Sequence, residues 1–383
     1  MLFATPELDE RESAVLQQIE DAKQKLRHRL YEPRRWSGQL RRQAFARALQ
    51  GSNSIEGYVA RLDDAAAIAA GDEPLDASDE TRLAIKGYSD AMTYVLQVAQ
   101  EDDFAYTTQM IKSLHFMMTS YSLVNRPGRW RAGSIYVHDE TEGRTVYEGP
   151  EVDEVAPLME EFAATLSVEN GYGGPAVVRA SMAHLNLVMI HPFKDGNGRM
   201  ARCLQSLVLA REGVLSPIFM SVEEYLGRNT PAYYAVLAEV GQGSWNPGND
   251  ARPWLRFMLT AHLRQARTHL VRVRESERVW MGLERLAERY GLPERSLTVL
   301  FDAAMGFRIR NQTYRTALER SGEGVITEAT ASRDLRQLAD VKLLDPLGER
   351  RGRYYVAGVE LISVRREVVQ SREPRDDSDP FAA

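Results

Sequence analysis

The run AVVRASMAHLNLVMI, residues 176–190, constrains the fold more than any other stretch of the chain. It is apolar nearly all round, so as a helix it must be enclosed by other elements. Pro192 disfavours helical backbone at His191, so the helix ends there and His191 stands at the mouth of a turn.

The enclosing elements read as helical. RESAVLQQIEDAKQKLRHRL sets Val15, Leu16, Ile19, Leu26 and Leu30 at roughly helical spacing. LRRQAFARALQ, YVARLDDAAAIAAG and ETRLAIKGYSDAMTYVLQVAQ continue the pattern between Gly, Pro and Asp breaks, and another helix covers Thr107 to Ser120. SNSIEGYVARL, from Ser52, reads as a helix start, because Asn53-Ser-Ile-Glu56 fits a capping box. One stretch differs in texture. RPGRWRAGSIYVHDETEGRTVYEGP has two β-branched and aromatic runs around a polar turn, the pattern of a β-hairpin. Helices resume at Val152.

A chain of 383 residues exceeds one ordinary core and predicts two or three domains. The net charge of -6 argues against a polyanion binder by bulk electrostatics, so any basic surface is local. Cys203 is the single cysteine, which excludes an internal disulfide and a Cys-based metal site; it follows Arg202 in an apolar run and is expected in the core. The N-terminus lacks the apolar segment of a signal peptide and no apolar run is long enough to span a bilayer. A soluble cytoplasmic protein with no membrane partner is expected.

The densest chemistry is HPFKDGNGRMAR, His191 to Arg202. Gly196 and Gly198 allow positive φ and close backbone approach. The loop leads directly into a helix, whose free N–H groups and positive dipole end favour an anion, phosphate above all. Arg199 and Arg202 lie three apart on one face of that helix and suit a polyphosphate. Asp195 is placed to hold Mg²⁺ on phosphate oxygens, and His191 is the nearby group able to accept a proton near neutral pH. Together they describe transfer of a phosphate-containing group to a hydroxyl. A Walker loop is absent, and a zinc site on His184 and His191 lacks a third ligand. His184, inside the apolar helix, is expected as a core histidine.

These twelve residues resemble, without departure, the HxFx(D/E)GNGRxxR signature of the Fic family of nucleotidyl transferases. The hairpin falls where that family carries its target-binding flap, and SVEEYLGRNTPAYYAVL and WNPGNDARPWLRFML look like its closing helices. The resemblance implies ATP and Mg²⁺ as cofactors and AMP transfer to a Ser, Thr or Tyr hydroxyl of a target protein, self-modification included. His191 would be the base and Asp195 the metal ligand. Gly196, Asn197 and Gly198 would cradle the β-phosphate, Arg199 would support the phosphate chain, and Arg202 would reach the γ-phosphate. Phe193 would anchor the loop. The target would dock on the flap near 133–148. Tyr233 and Tyr234 are candidates to stack on adenine, with core packing the equal alternative. SNSIEG matches the family's (S/T)xxxE(G/N) inhibitory motif: Ser52 and Glu56 share a helix face, and Glu56 would pair with Arg202 in the place of the γ-phosphate. The same glutamate admits a second activity, removal of AMP from a modified target.

TASRDLRQL followed by GERRGRYYV resembles a winged helix-turn-helix, with Thr330 as N-cap. Arg333 and Arg336 on its helix and Arg350, Arg351 and Arg353 on its wing form a basic patch for DNA or for a protein partner. The expected fold is therefore mainly α. A helical region (1–105) carries the inhibitory motif. It precedes a Fic-type helical core with a β-hairpin flap (106–265), linker helices (266–296), a winged-helix domain (297–372) and a disordered tail (373–383). The competing function is a DNA-binding regulator with the core as nucleotide sensor. A homodimer stays open.

Overall fold

The computed structural model describes residues 1–31, 34–139, 144–167, 174–213, 221–349, 352–374 and 376–382, with 138, 139 and 144 described in backbone only. The architecture is mainly helical, as the periodicity predicts. The apolar run forms helix α7 (Ala176–Ile190), buried on almost every side. Helix α8 (Asn197–Arg211), equally buried, packs along it. Around this pair stand α4 (Asp79–Val98), α5 (Thr108–Thr119) and α6 (Val152–Thr165). Ile85, Tyr88, Leu114, Phe162, Leu187 and Leu204 join one apolar core there.

Helix α1 (Glu10–Leu30) is closed at its start by a reciprocal Asp9/Glu12 capping box. The Glu12 carboxylate, fully buried, also receives Arg252 and Arg256 from α11 (Arg252–Arg289) at 2.9–3.0 Å. Helix α2 (Arg35–Ile55) lies against the short α9 (Glu223–Arg228) at backbone contact. A Cβ on Gly227 would fall 2.7 Å from the Gly51 backbone, so both positions need the missing side chain.

The segment from Ser52 corrects the sequence reading: it ends a helix. Tyr58 N–H donates to the Asn53 carbonyl (3.0 Å), and Gly57 N–H to that of Ser54 (3.1 Å), with Gly57 left-handed at φ 84°. This is a Schellman closure. The short polar side chains bond back along the helix, Asn53 to the Leu49 carbonyl and Ser54 to that of Gly51. The next helix, α3 (Leu62–Ala70), begins only after Arg61.

Strands β1 (Tyr136–Asp139) and β2 (Arg144–Glu148) pair antiparallel with a bulge at Val137/His138. The hairpin tip, 140–143, lies outside the described residues. The base of β2 is tied to residues beyond α10 (Thr230–Gly241) by Glu148 N–H to the Gly243 carbonyl and Trp245 N–H to that of Glu148.

Helix α11 runs unbroken for 38 residues into the C-terminal part of the chain. There α12 (Ser296–Ala304), α13 (Asn311–Arg320) and α14 (Glu328–Asp340) precede a hairpin of β3 (Leu344–Leu347) and β4 (Tyr354–Ala357), then α15 (Val359–Gln370). Ile309 exchanges two 2.8 Å backbone bonds with Tyr355. Helix α14 starts one turn earlier than expected. Its N-cap is Thr327, whose hydroxyl accepts from Thr330 N–H at 3.2 Å, and Thr330 is already helical. Arg333, Arg336 and Arg353 are exposed, while Arg350 and Arg351 lie outside the described residues. The C-terminal segment, expected to be disordered, packs back on α11. Asp376 pairs with Arg267 at 2.7 Å, and the Phe381 ring lies under the Arg256 guanidinium. The arginine-rich face of α11 supplies the partners that composition alone does not reveal.

Candidate active site

His191 caps α7 in the left-handed conformation (φ 50°), its N–H still bonded to the Leu187 carbonyl. Its Nδ1 lies 3.0 Å from the Val188 carbonyl, which accepts only, so Nδ1 carries the proton and Nε2 keeps its lone pair. Burial holds the imidazole below its ordinary value, against the opposing pull of the Val188 carbonyl and the Glu56 carboxylate. Near neutral pH the ring is a neutral base.

The loop behind it is pinned from three directions. Phe193 is fully buried and stacks on the His115 ring (centroids 3.7 Å, planes 4° apart). Asn197 spends its side-chain amide on the Phe193 backbone, accepting from N–H at 2.9 Å and donating to the carbonyl at 2.8 Å. A phosphate contact at Asn197 therefore falls to its backbone. His115 accepts from Gly128 N–H on Nδ1 (2.8 Å) and so donates through Nε2 to the Asp195 carbonyl (2.9 Å). Arg131 donates to the His191 carbonyl at 3.0 Å and also to that of Pro150, coupling the motif to the base of the hairpin.

Gly196 adopts φ 78° and turns the chain into α8, as expected. Gly198 does not: it sits in the first helical turn, and its role is space. A Cβ there would stand 2.5 Å from Glu56 Oε1 and 3.1 Å from Arg202 Nη1.

Arg199 and Arg202 are both buried, and the Glu56 carboxylate feels both charges. Arg202 donates from Nε to the Ser52 hydroxyl (2.8 Å), and from Nη2 to the Ser52 carbonyl (3.0 Å) and to Glu56 Oε1 (2.6 Å). Arg199 reaches the Tyr121 hydroxyl at 3.2 Å and Asp195 at 3.4 Å, and lies over the Tyr58 ring. Burial acts to raise the Glu56 carboxyl, but Arg202 and then Arg199 overcome it and leave it below the ordinary carboxylate value. Two guanidinium nitrogens, Arg199 Nε and Arg202 Nη1, are buried with no hydrogen-bond partner among the described residues. Two orphaned donors beside a helix N-terminus are suited to additional anionic oxygens.

Asp195 accepts from Asn125 at 2.9 Å and remains about one-third exposed. No cluster of three metal-ligating side chains occurs among the described residues. A single carboxylate still fits Mg²⁺, which commonly completes its shell with substrate phosphates and water.

The two adenine candidates separate. Tyr233 is 1% exposed and its hydroxyl faces His184 Nε2 at 3.0 Å, so it is core and offers no stacking face. Tyr234 is 47% exposed, with its hydroxyl 3.4 Å from the Ile55 carbonyl, at the end of the helix that carries Glu56. His184 is a core histidine bonded to Gln205 and Tyr233, and Cys203 is buried with its thiol pushed well up by that burial. Sequence reasoning missed His115, Arg131, Tyr58 and Tyr121. Each is an ordinary residue in its own segment and gains meaning only through the loop it touches.

Residues 105–209 match the Fic/DOC family, and the chain carries a domain of that family over this stretch. It is 25% identical over 228 residues to the protein adenylyltransferase Fic of Nematostella vectensis (57% of this chain, 47% of the relative). To the protein of the same name in Aedes aegypti it is 30% identical over 191 residues (47% and 34%). The chain thus spans less than half the length of these two relatives. Among solved structures, a Fic family protein from Desulfovibrio desulfuricans G20 shares the fold with a TM-score of 0.58 at 20% identity, covering 93% of this chain and 98% of that one.

Proposed function

We propose that this protein transfers AMP from ATP to a Ser, Thr or Tyr hydroxyl of a target protein, itself included, and that Glu56 holds the activity low. The observation that carries the reading is the free Nε2 of His191 beside a helix whose buried Arg199 and Arg202 each keep an unsatisfied donor. The names of the relatives, protein adenylyltransferase Fic, agree with it.

In this scheme His191 Nε2 takes the hydroxyl proton as the oxygen attacks the α-phosphorus. The bond to the β-phosphate oxygen breaks and pyrophosphate leaves. Such transfers depend on positioning and charge neutralisation more than on covalent chemistry. Backbone N–H groups of the loop from Gly196 to Gly198 receive phosphate oxygens, Arg199 supports the chain, and Arg202 takes the γ-phosphate. Asp195 would hold Mg²⁺, which neutralises charge on the phosphates when bound. Tyr234 remains the candidate to line the adenine site. The hairpin would receive the target, since an extended segment can add to a strand edge.

The Glu56 carboxylate occupies one of the Arg202 donors that this scheme assigns to the γ-phosphate. The same carboxylate, aimed at the site, also suits activation of a water for the reverse removal of AMP. A second reading, DNA binding, draws on exposed Arg333, Arg336 and Arg353 beside a helix-and-hairpin unit resembling a winged helix. A salt-dependent mobility shift abolished by Arg333→Ala would favour it.

The deciding experiment is label transfer from α-labelled ATP in a cell lysate. Label should appear on protein with the wild-type chain and vanish with His191→Ala. Undiminished labelling by His191→Ala would overturn the assignment of the base.

A further inference from the structure

A cleft of about 720 Å³ opens between α2, α9, α11 and α15. The described residues that line it include none of His191, Asp195, Arg199, Arg202 or Glu56, so it is separate from the site above. Among those described residues are nine arginines and four carboxylates.

Two of the four carboxylates are already committed, whereas Glu373 and Asp377 form no ion pair among the described residues, so the arginines outnumber the acids about two to one. Glu275 pairs twice with Arg372, at 2.6 and 2.8 Å, and Asp376 takes Arg267. Glu224, buried beside the cleft, serves Arg272 and Arg228 at 2.6–2.7 Å and Arg47 only at 3.9 Å. Arg274, Arg278 and Arg365 have no carboxylate partner among the described residues. Arg264 Nε is buried without a hydrogen-bond partner there. Burial, then the neighbouring Arg272, with Arg228 and Arg365 adding to them, push the Arg47 guanidinium down to about 10 although Glu224 opposes them. Like charges held this close around a hollow are self-repelling, and an anion in the hollow relieves them.

Shape selects the anion. The hollow falls within the range of small-molecule sites, roughly 300–1,000 Å³, and its floor includes Leu40, Val279 and Met305. A nucleic acid backbone calls for an extended basic surface, whereas this charge is gathered in a concavity of an otherwise acidic chain. The chain's own acidic segment already seats at the rim, where Arg264 donates to the Asp377 carbonyl at 2.7 Å. Planar guanidinium groups in such numbers match phosphate oxygens. We propose that this cleft binds a small molecule bearing two or more phosphate groups.

Calorimetric titration of the full chain with inorganic tripolyphosphate tests this. Wild type should bind one equivalent beyond any taken up at the Arg202 site, and affinity should weaken as salt rises. Arg47→Gln/Arg365→Gln should weaken binding by about tenfold or more, the loss of one charge-assisted contact or better. Arg274→Gln/Arg278→Gln, which removes no described ion pair, should weaken it in the same direction and guards against misfolding of the first variant. Arg202→Gln reports on the other phosphate site and should leave one equivalent bound. Absence of binding to wild type, or binding lost only in Arg202→Gln, would overturn the proposal. Neither outcome bears on AMP transfer, which is read separately by label.

Discussion

Arg202 Nη2 meets Glu56 Oε1 at 2.6 Å across 146 residues of chain, and Ser52, one helical turn before Glu56, gives the same guanidinium two further acceptors. The end of α2 is thus fastened to the start of α8 through one arginine. Replacing Glu56 by Gly removes the acidic partner but leaves both Ser52 contacts. The expected result is a rise in AMP transfer of about a hundredfold, the scale on which misplacement by about 1 Å costs an enzyme rate. The same variant should be less stable without nucleotide, because removing one partner of a buried pair costs about 3 kcal/mol. Label transfer and a denaturant melt check the two halves. A purely structural role for Glu56 predicts the stability loss with no gain in transfer.

With His191 as the proposed base, the acid limb of the activity profile follows from its imidazole. Burial keeps its imidazole below the usual histidine value, so the base is neutral at pH 7 and is lost by protonation only below about pH 6.5. Glu56 opposes that depression. In Glu56→Gly the limb should therefore move to lower pH, opposite to what a newly exposed imidazole would do. Rates of label transfer between pH 4.5 and 8 measure it.

What was legible in the sequence is what lies close together along it. The enclosed helix α7, the break at Pro192 and the glycine turn into α8 occupy one continuous stretch, so pattern and local structure coincide. Asn53-Ser-Ile-Glu56 was legible as a helix boundary but not as which boundary. Short polar residues can cap a start or bond back along an end, and the Schellman closure at Gly57 decided it. Tyr233 and Tyr234 are adjacent and chemically alike, and only packing sends one into the core and leaves the other half exposed. The C-terminal segment looked unburiable because its partners, Arg256, Arg264 and Arg267, lie on a helix more than 100 residues earlier.

His115 should act on the reaction without touching substrate. It joins the Gly128 N–H to the Asp195 carbonyl while its ring supports Phe193. His115→Phe keeps the stacking and drops both hydrogen bonds. Stability should fall by about 1–3 kcal/mol for each of the two backbone groups left unpaired. AMP transfer should fall by about a hundredfold, because Asp195 loses its anchor. Melting curves and label transfer, taken on the same preparation, separate the two effects. Full activity in a destabilised variant would show that the loop holds its shape without His115.

Buried histidines should also set the acid stability of the fold. Burial lowers His184 to about 3, His269 to about 3 and His115 to about 4. All three are neutral in the folded chain, while their unfolded counterparts take up protons below about pH 6.5. Stability is therefore complete above that value and is lost as the pH falls through it, with each histidine contributing about 1.4 kcal/mol per pH unit once its unfolded form is protonated. Three together amount to about 4 kcal/mol per unit down to about pH 4, against a total stability on the order of 10 kcal/mol. Urea midpoints at pH 7.5, 6.0 and 5.0 should decline steeply. His184→Asn, although less stable at pH 7.5, should show a shallower decline by about one proton. An unchanged slope in that variant would mean that His184 is protonated in the folded state.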